Sequence, residues 1–295
     1  MGNLDFLRNP QIKKGFADLI GETDTSKGVN WYVDTVGGSA AGDGKSWDTA
    51  CSTMAAAFLK IASRDTINMI GKVREQIVAP LGVYGVRIVG ADTSPRHDLA
   101  ASWMAPASGG TTSKALCEVM EQGWVFENIL FQSFTTASAV KISRRETAEI
   151  PDGSHAMFIN CRFVGVSGID DNGGNSFVTV RNCTFQSLTG TAILGSSVSA
   201  DVPTQWLIED NRFVNCTNGI DEAFYHATIR RNIFIGTSTK YIDLTGGTAP
   251  NAVYDNVFTS VAAADFDPTG GVTGVTGDYW YNELTDTKER GLPAD

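Results

Sequence analysis

Residues 156–193 read AMFINCRFVGVSGIDDNGGNSFVTVRNCTFQSLTGTAI, and the spacing of their apolar side chains decides the fold. Phe163 and Phe185 each close an Asn-Cys-X-Phe run, and Phe158 and Val180 stand five residues before them. Working outward, the same phenylalanine recurs as Phe131, Phe213, Phe234 and Phe258. Aligned on it, the position five before holds Phe126, Phe158, Val180, Ile208, Ile229 and Val253. The position seven before holds Trp124, Ala156, Val178, Trp206, Ala227 and Asn251. Three before stand Asn128, Asn160, Asn182, Asp210, Arg231 and Asp255, and two before stand Ile129, Cys161, Cys183, Asn211, Asn232 and Asn256. Side chains on one face of a strand are an even number of residues apart. Positions seven and five before the Phe agree in phase, but the step from five before to the Phe itself is odd, although all three are apolar. The chain must bend between them, at the Asn/Asp positions, whose side chains tolerate left-handed backbone and bond it locally. A second apolar column follows at Ile169, Ile193, Ile220 and Ile242. Two strands joined at an Asn corner, then a turn and a third strand, in about 22 residues, describe one coil of a parallel β-helix. Antiparallel hairpins would not put like residues in one register.

Composition agrees. An apolar fraction of 42% supports a continuous core, and 31 glycines against 9 prolines suit many tight turns between short strands. A solenoid of 295 residues need not divide into two domains, because each repeat buries its apolar face against its neighbours. The net charge of −10, with no basic run longer than a pair, speaks against nucleic acid as a partner. No segment approaches the ~20 apolar residues of a membrane span, so membrane insertion is not expected. The opening MGNLDFLRNPQIKKGF lacks a basic start followed by an apolar stretch, so synthesis in the cytoplasm without a signal peptide is expected. Cys51, Cys117, Cys161, Cys183 and Cys216 are odd in number and contain no CxxC pair, which points away from a disulfide framework and from zinc. Neither a metal nor a cofactor is expected.

The N-C-x-F and D-N-x-F corners resemble the asparagine ladder of the pectate-lyase-like superfamily of right-handed parallel β-helices, over roughly residues 30–260. WYVDTVGGSAAGDGKSWDTACSTMAAAF (31–58) is similar to the opening segment of many bacteriophage and bacterial β-helix proteins. The resemblance implies an all-β, right-handed helix with an N-terminal capping α-helix. It says little about activity, because one scaffold hosts many functions.

Trp47, Cys51, Met54, Phe58 and Ile61 follow a helical seam with Ser46 as N-cap, predicting the helix that plugs the N-terminal end of the core. Further upstream, Asn9-Pro10 opens a short helix with Ile12, Phe16, Leu19 and Ile20 on one face and Gly21 at its end. So short a helix is unstable alone, and its face must dock either on the β-helix or on a partner. The chain thus divides into an anchor helix and linker (1–29), an opening segment with its capping helix (30–65), β-helix coils (66–262), and an irregular last coil and tail (263–295). TINMI (66–70) and VRIVG from Val86 belong to early coils. KISRRETAEIPDGS (141–154) and GSSVSADVPT (195–204) read as insertions.

After the Ile column come Asp170, Leu194, Asp221 and Asp243, expected on the outer face, with Asp171 and Glu222 in the same patch. Coils stack ~4.8 Å apart, so Asp221 and Asp243 come about 5 Å apart and Asp170 about 10 Å from Asp221. Such carboxylate separations permit glycoside hydrolysis, ~5 Å with retention and ~6.5–9.5 Å with inversion. The competing reading is a solvated acidic face with no chemistry. A lyase would require clustered acids for Ca²⁺ and an arginine base. Arg230 and Arg231 lie near Asp210 and Asp255, but Arg231 sits in the corner column, where a structural role fits better. His97, His155 and His226 are scattered and read as structural, and Cys161 and Cys183, stacked in one column, as a reduced packed pair.

Two functional readings head the list. The first is a non-enzymatic structural component of a bacteriophage virion (capsid decoration, head fibre or tail spike). It would be a homotrimer joined to other virion proteins through Ile12, Phe16, Leu19 and Ile20, with host polysaccharide as a further contact. The second is a tailspike-type glycan depolymerase using Asp221 and Asp243, assisted by Asp170 or Glu222. A secreted adhesin ranks third.

Overall fold

The computed structural model describes residues 28–91, 101–134, 137–144, 153–196, 202–236, 239–244 and 250–259, and the backbone alone of 279–284 and 290–291. The expected anchor face of Ile12, Phe16, Leu19 and Ile20, together with His97, lies outside these residues.

Each coil contributes a strand before the Asn corner, a strand after it, and a third strand beyond a turn. The first two kinds merge around the corner into one 18-stranded sheet, and the third kind forms a seven-stranded sheet. Pairing between successive coils is parallel and in register, as the aligned columns require. Phe131, Phe163, Phe185, Phe213, Phe234 and Phe258 are direct neighbours, and Val73 and Trp103 extend their column toward the N-terminus. Their rings stack at 4.5–5.1 Å between centroids, tilted by no more than 15°. All six phenylalanines are fully buried.

The corner residues Asn128, Asn160, Asn182, Asp210, Arg231 and Asp255 all have φ between 51° and 58°, the left-handed bend inferred from the phase change. The residue after each corner points inward. Asn211, Asn232 and Asn256 donate to the carbonyls of Val180, Ile208 and Ile229 at 2.9, 2.9 and 3.0 Å, and Asn211 and Asn232 also donate to the next amide oxygen of the ladder. Higher in the same column Cys161 and Cys183 stand unbridged, each thiol directed at the equivalent carbonyl, of Phe126 and of Phe158. A second left-handed corner precedes each coil's first strand, at Arg64, Gly85, Gly123, His155, Phe177, Gln205 and His226.

The capping helix is shorter than its apolar seam predicts. It spans Met54–Phe58, and Thr53, not Ser46, is the N-cap, its hydroxyl accepting from the Ala56 amide at 3.1 Å. Glu75 accepts from the Met54 and Ala55 amides. Cys51 is the reason for the late start: it bridges in parallel to Val33 and Ser39, which holds residues 50–51 extended. Met54 and Phe58 are buried as expected, with Phe58 edge-on to Trp124, while Trp47 stays 40% exposed against Tyr32. Asn30–Asp34 pairs with Thr66–Ile70, so the opening segment supplies the first rung. The segment expected as an insertion from residue 141 begins inside a strand, Val140–Ser143 of the seven-stranded sheet. Tyr279–Leu284 adds a parallel strand beyond Ala252–Thr259.

Candidate functional site

The seven-stranded sheet carries the acids. Cys117, Val140, Ile169, Ile193, Ile220 and Ile242 pair one above another and form its inward column. One residue later, register places Glu118, Lys141, Asp170, Leu194 and Asp221 in a single outward column. Asp243 follows Ile242 at the end of that column, its amide bonded to the Ile220 carbonyl at 2.8 Å.

Two of the expected outer acids are not exposed. Asp171 lies two residues after Ile169, so strand alternation turns it inward, level with Ile142 and Val119. It is 3% exposed and accepts from the Gly174 and Asn175 amides and from the Asn175 side chain. Asp243 is also 3% exposed, and the ammonium of Lys240, three residues back, pairs with its carboxylate.

Asp221, Glu222 and Asp170 remain accessible. Asp221 Oδ2 accepts from Asn218 Nδ2 at 2.6 Å, with Thr191 Oγ1 at 3.5 Å, and its Oδ1 accepts from the Glu222 amide at 3.1 Å. Glu222 has left-handed backbone (φ 76°), which ends the strand and turns the chain beside Asp221. Its carboxyl titrates above the ordinary glutamate range, chiefly through partial burial, then through the charges of Asp221 and Asp243, with Lys240 opposing. Asp170 is raised too, by burial first; Lys141 beside it opposes and Glu118 adds to the rise.

Asn218, Thr191 and Lys240 were not anticipated as members of this cluster. They share one column, two residues before the Ile column, and aligning that position would have found them. The Asn218 Oδ1 atom is buried without a hydrogen-bond partner. Flipping the amide would not relieve it, because the oxygen would then face Asp221 Oδ2. The site therefore holds a carboxylate oriented by hydrogen bonds, a second carboxyl next to it whose pKa is raised, and an ammonium.

The other candidates are structural in place. Arg231 pairs with Asp210 and Glu209, and Arg230 with Glu209. His155 and His226 occupy the second left-handed corner, His155 with its ring 4.9 Å from Phe177.

Residues 124–275, slightly more than half of the chain, match the family described as the right handed beta helix region. The chain belongs to the right-handed β-helix family. Two solved members of the wider fold are similar over most of their length. One is a pectin methylesterase from carrot, at 14% identity, covering 90% of this chain and 85% of that one with a TM-score of 0.56. Another is a pectate lyase from Bacillus sp. N165 in complex with trigalacturonate, at 12% identity, covering 91% and 84% with a TM-score of 0.52. At these identities the likeness is one of fold. No curated protein matches the sequence. The right-handed β-helix architecture is thus established, and the fold by itself does not assign a chemistry.

Proposed function

We propose that this β-helix is a glycan-directed hydrolase whose site lies at the end of the seven-stranded sheet, around Asp221 and Glu222. The observation that carries the reading is the pairing of two neighbouring carboxyl groups with divided roles. Glu222 holds its proton above the ordinary range, as a general acid acting on a glycosidic oxygen requires. Asp221 is oriented by Asn218 and the Glu222 amide, in position to stabilise an oxocarbenium-like transition state. Lys240 neutralises Asp243, so that Asp221 is left as the carboxylate facing the substrate.

The test is release of reducing ends from a panel of neutral and acidic polysaccharides. Hydrolysis of at least one is expected, with a loss of ~10²-fold or more in Glu222→Gln and in Asp221→Asn. A wild-type protein inert across the panel, or unchanged rates in both variants, rejects the reading.

A second reading is a non-enzymatic part of a bacteriophage virion, whose acidic face would carry no chemistry. Asp171 and Asp243, two of the acids on these coils, are engaged in bonds internal to the coil. Deleting residues 1–21 separates the two readings. A depolymerase keeps cleaving, whereas a structural component remains soluble but no longer joins the particle.

A further inference from the structure

The corner opposite the acidic sheet carries the reverse charge. On the strands and corners of residues 157–165, 179–188, 207–215 and 228–236 stand five arginines (Arg162, Arg181, Arg212, Arg230 and Arg231) and two acids (Glu209 and Asp210), in a chain of net charge −10. Both acids are already engaged. Glu209 takes Arg230 at 2.8 Å and Arg231 at 2.6 Å, with Arg181 at 3.8 Å, and Asp210 takes Arg231 at 2.8 Å. Among the described residues no carboxylate pairs with Arg162 or Arg212.

These two arginines line one groove of about 340 Å³, together with Asn160, Asn182, Thr184 and Gln186. That volume is at the lower end of small-molecule sites, ~300–1,000 Å³. Register stacks Arg162, Thr184 and Arg212 in one outward column, which sets the arginines two coils, roughly 10 Å, apart. Arg162 is held in place by its bond to Gln186 Oε1 at 2.8 Å, yet its Nε is buried and bonded to nothing. That Nε is sealed from the groove, so recognition falls to the terminal nitrogens, and a guanidinium with no carboxylate partner is suited there to an oxyanion. The Asn182 side chain is exposed, and Thr184 and Gln186 lie between the two charges, where they can bond hydroxyl groups.

We infer that this groove is an anion-binding site. Its ligand carries two oxyanionic groups (carboxylate, sulfate or phosphate) about 10 Å apart, joined by a hydroxyl-bearing stretch and laid along the helix axis. The site is separate from the acid pair of Asp221 and Glu222 and does not depend on it. A free polyphosphate and an acidic oligosaccharide share this chemistry. The hydroxyl-bonding groups between the arginines favour the oligosaccharide, and no aromatic side chain lines the groove to stack a nucleobase.

Calorimetric titration of the full chain tests this with four probes: a sulfated tetrasaccharide, a neutral tetrasaccharide of equal length, inorganic tripolyphosphate and a short single-stranded DNA. Saturable binding of the sulfated sugar is expected, weakened by added salt, with no binding of the neutral one. Arg212→Glu, at an exposed position, should weaken it at least tenfold, and Arg162→Gln should weaken it while the melting temperature confirms the fold. Equal binding of tripolyphosphate keeps the site and names a free polyanion as its ligand. Failure of every anion to bind, equal binding of the neutral sugar, or unchanged affinity in both folded variants overturns the inference. So does tighter binding of the DNA. None of these results bears on hydrolysis at Glu222, so the two proposals fail separately.

Discussion

At position 171 a carboxyl stands where Val119 and Ile142 stand in the two preceding coils. Burial pushes the Asp171 carboxyl up to about 7, against the hydrogen bonds from Asn175 and Gly174 that favour its charged form. Its folded-state pKa is therefore above the unfolded value. The stabilisation this residue gives is fully present below the ordinary Asp pKa of ~3.9 and disappears as pH rises through about 7. At 1.36 kcal/mol per pKa unit, the change across that window is a few kcal/mol, on the order of 4 at most. Urea unfolding at several pH values between 4 and 7 should show Asp171→Asn gaining on the wild type as pH rises. Parallel stability curves for the two proteins would contradict this. The residue also marks how far the sequence could be read. Its acidity placed it in the outer patch; the two-residue step from Ile169, left out of that placement, turns it inward. Asp243 was less legible: nothing in its spacing signals that Lys240, three residues earlier, closes over it.

Elements were legible where residue identity is itself the contact. On six successive coils a phenylalanine stacks on its own kind, and after the last three corners an asparagine bonds the coil before it, so both columns could be read by alignment. The second left-handed corner could not. Arg64, Gly85, Gly123, His155, Phe177, Gln205 and His226 share a backbone angle and no chemistry, so composition carries no trace of it. The helix start was misplaced for a related reason. Trp47 and Cys51 match a helical spacing, but Cys51 is bonded in extended pairing to Val33 and Ser39. The phenylalanine column has a direct mechanical consequence. Phe185 lies between Phe163 and Phe213 at 4.7 and 4.9 Å, in the middle of a rigid stack that cannot close around a void. Phe185→Ala should lower the unfolding free energy by ~3–5 kcal/mol, read from denaturant midpoints at unchanged slope. A variant as stable as the wild type would show that the column is not a packed core.

Over the whole molecule, charge and apolar surface are distributed unevenly. Acids gather on the seven-stranded sheet, arginines on the opposite corner, and exposed apolar side chains at one end. Of the eleven large apolar residues exposed among the described ones, eight lie in residues 28–91: Val29, Val36, Trp47, Leu59, Ile70, Val78, Leu81 and Tyr84. Leu59 and Val36 are each 89% exposed and Leu81 56%. Scattered apolar residues need no explanation, but a concentration in the first coils marks a surface suited to association. Closed symmetry is the default for homo-oligomers, and three is the number expected if the likeness of residues 31–58 to bacteriophage β-helices extends to assembly. We propose a homotrimer joined through these first coils. Light scattering at micromolar concentration should give three times the 31.5 kDa chain mass. Leu59→Glu combined with Leu81→Glu should reduce that to the single-chain mass without lowering the melting temperature, because both side chains face solvent within one chain. A wild type that is monomeric in the same measurement rejects the trimer. A double variant that stays trimeric moves the interface away from the first coils.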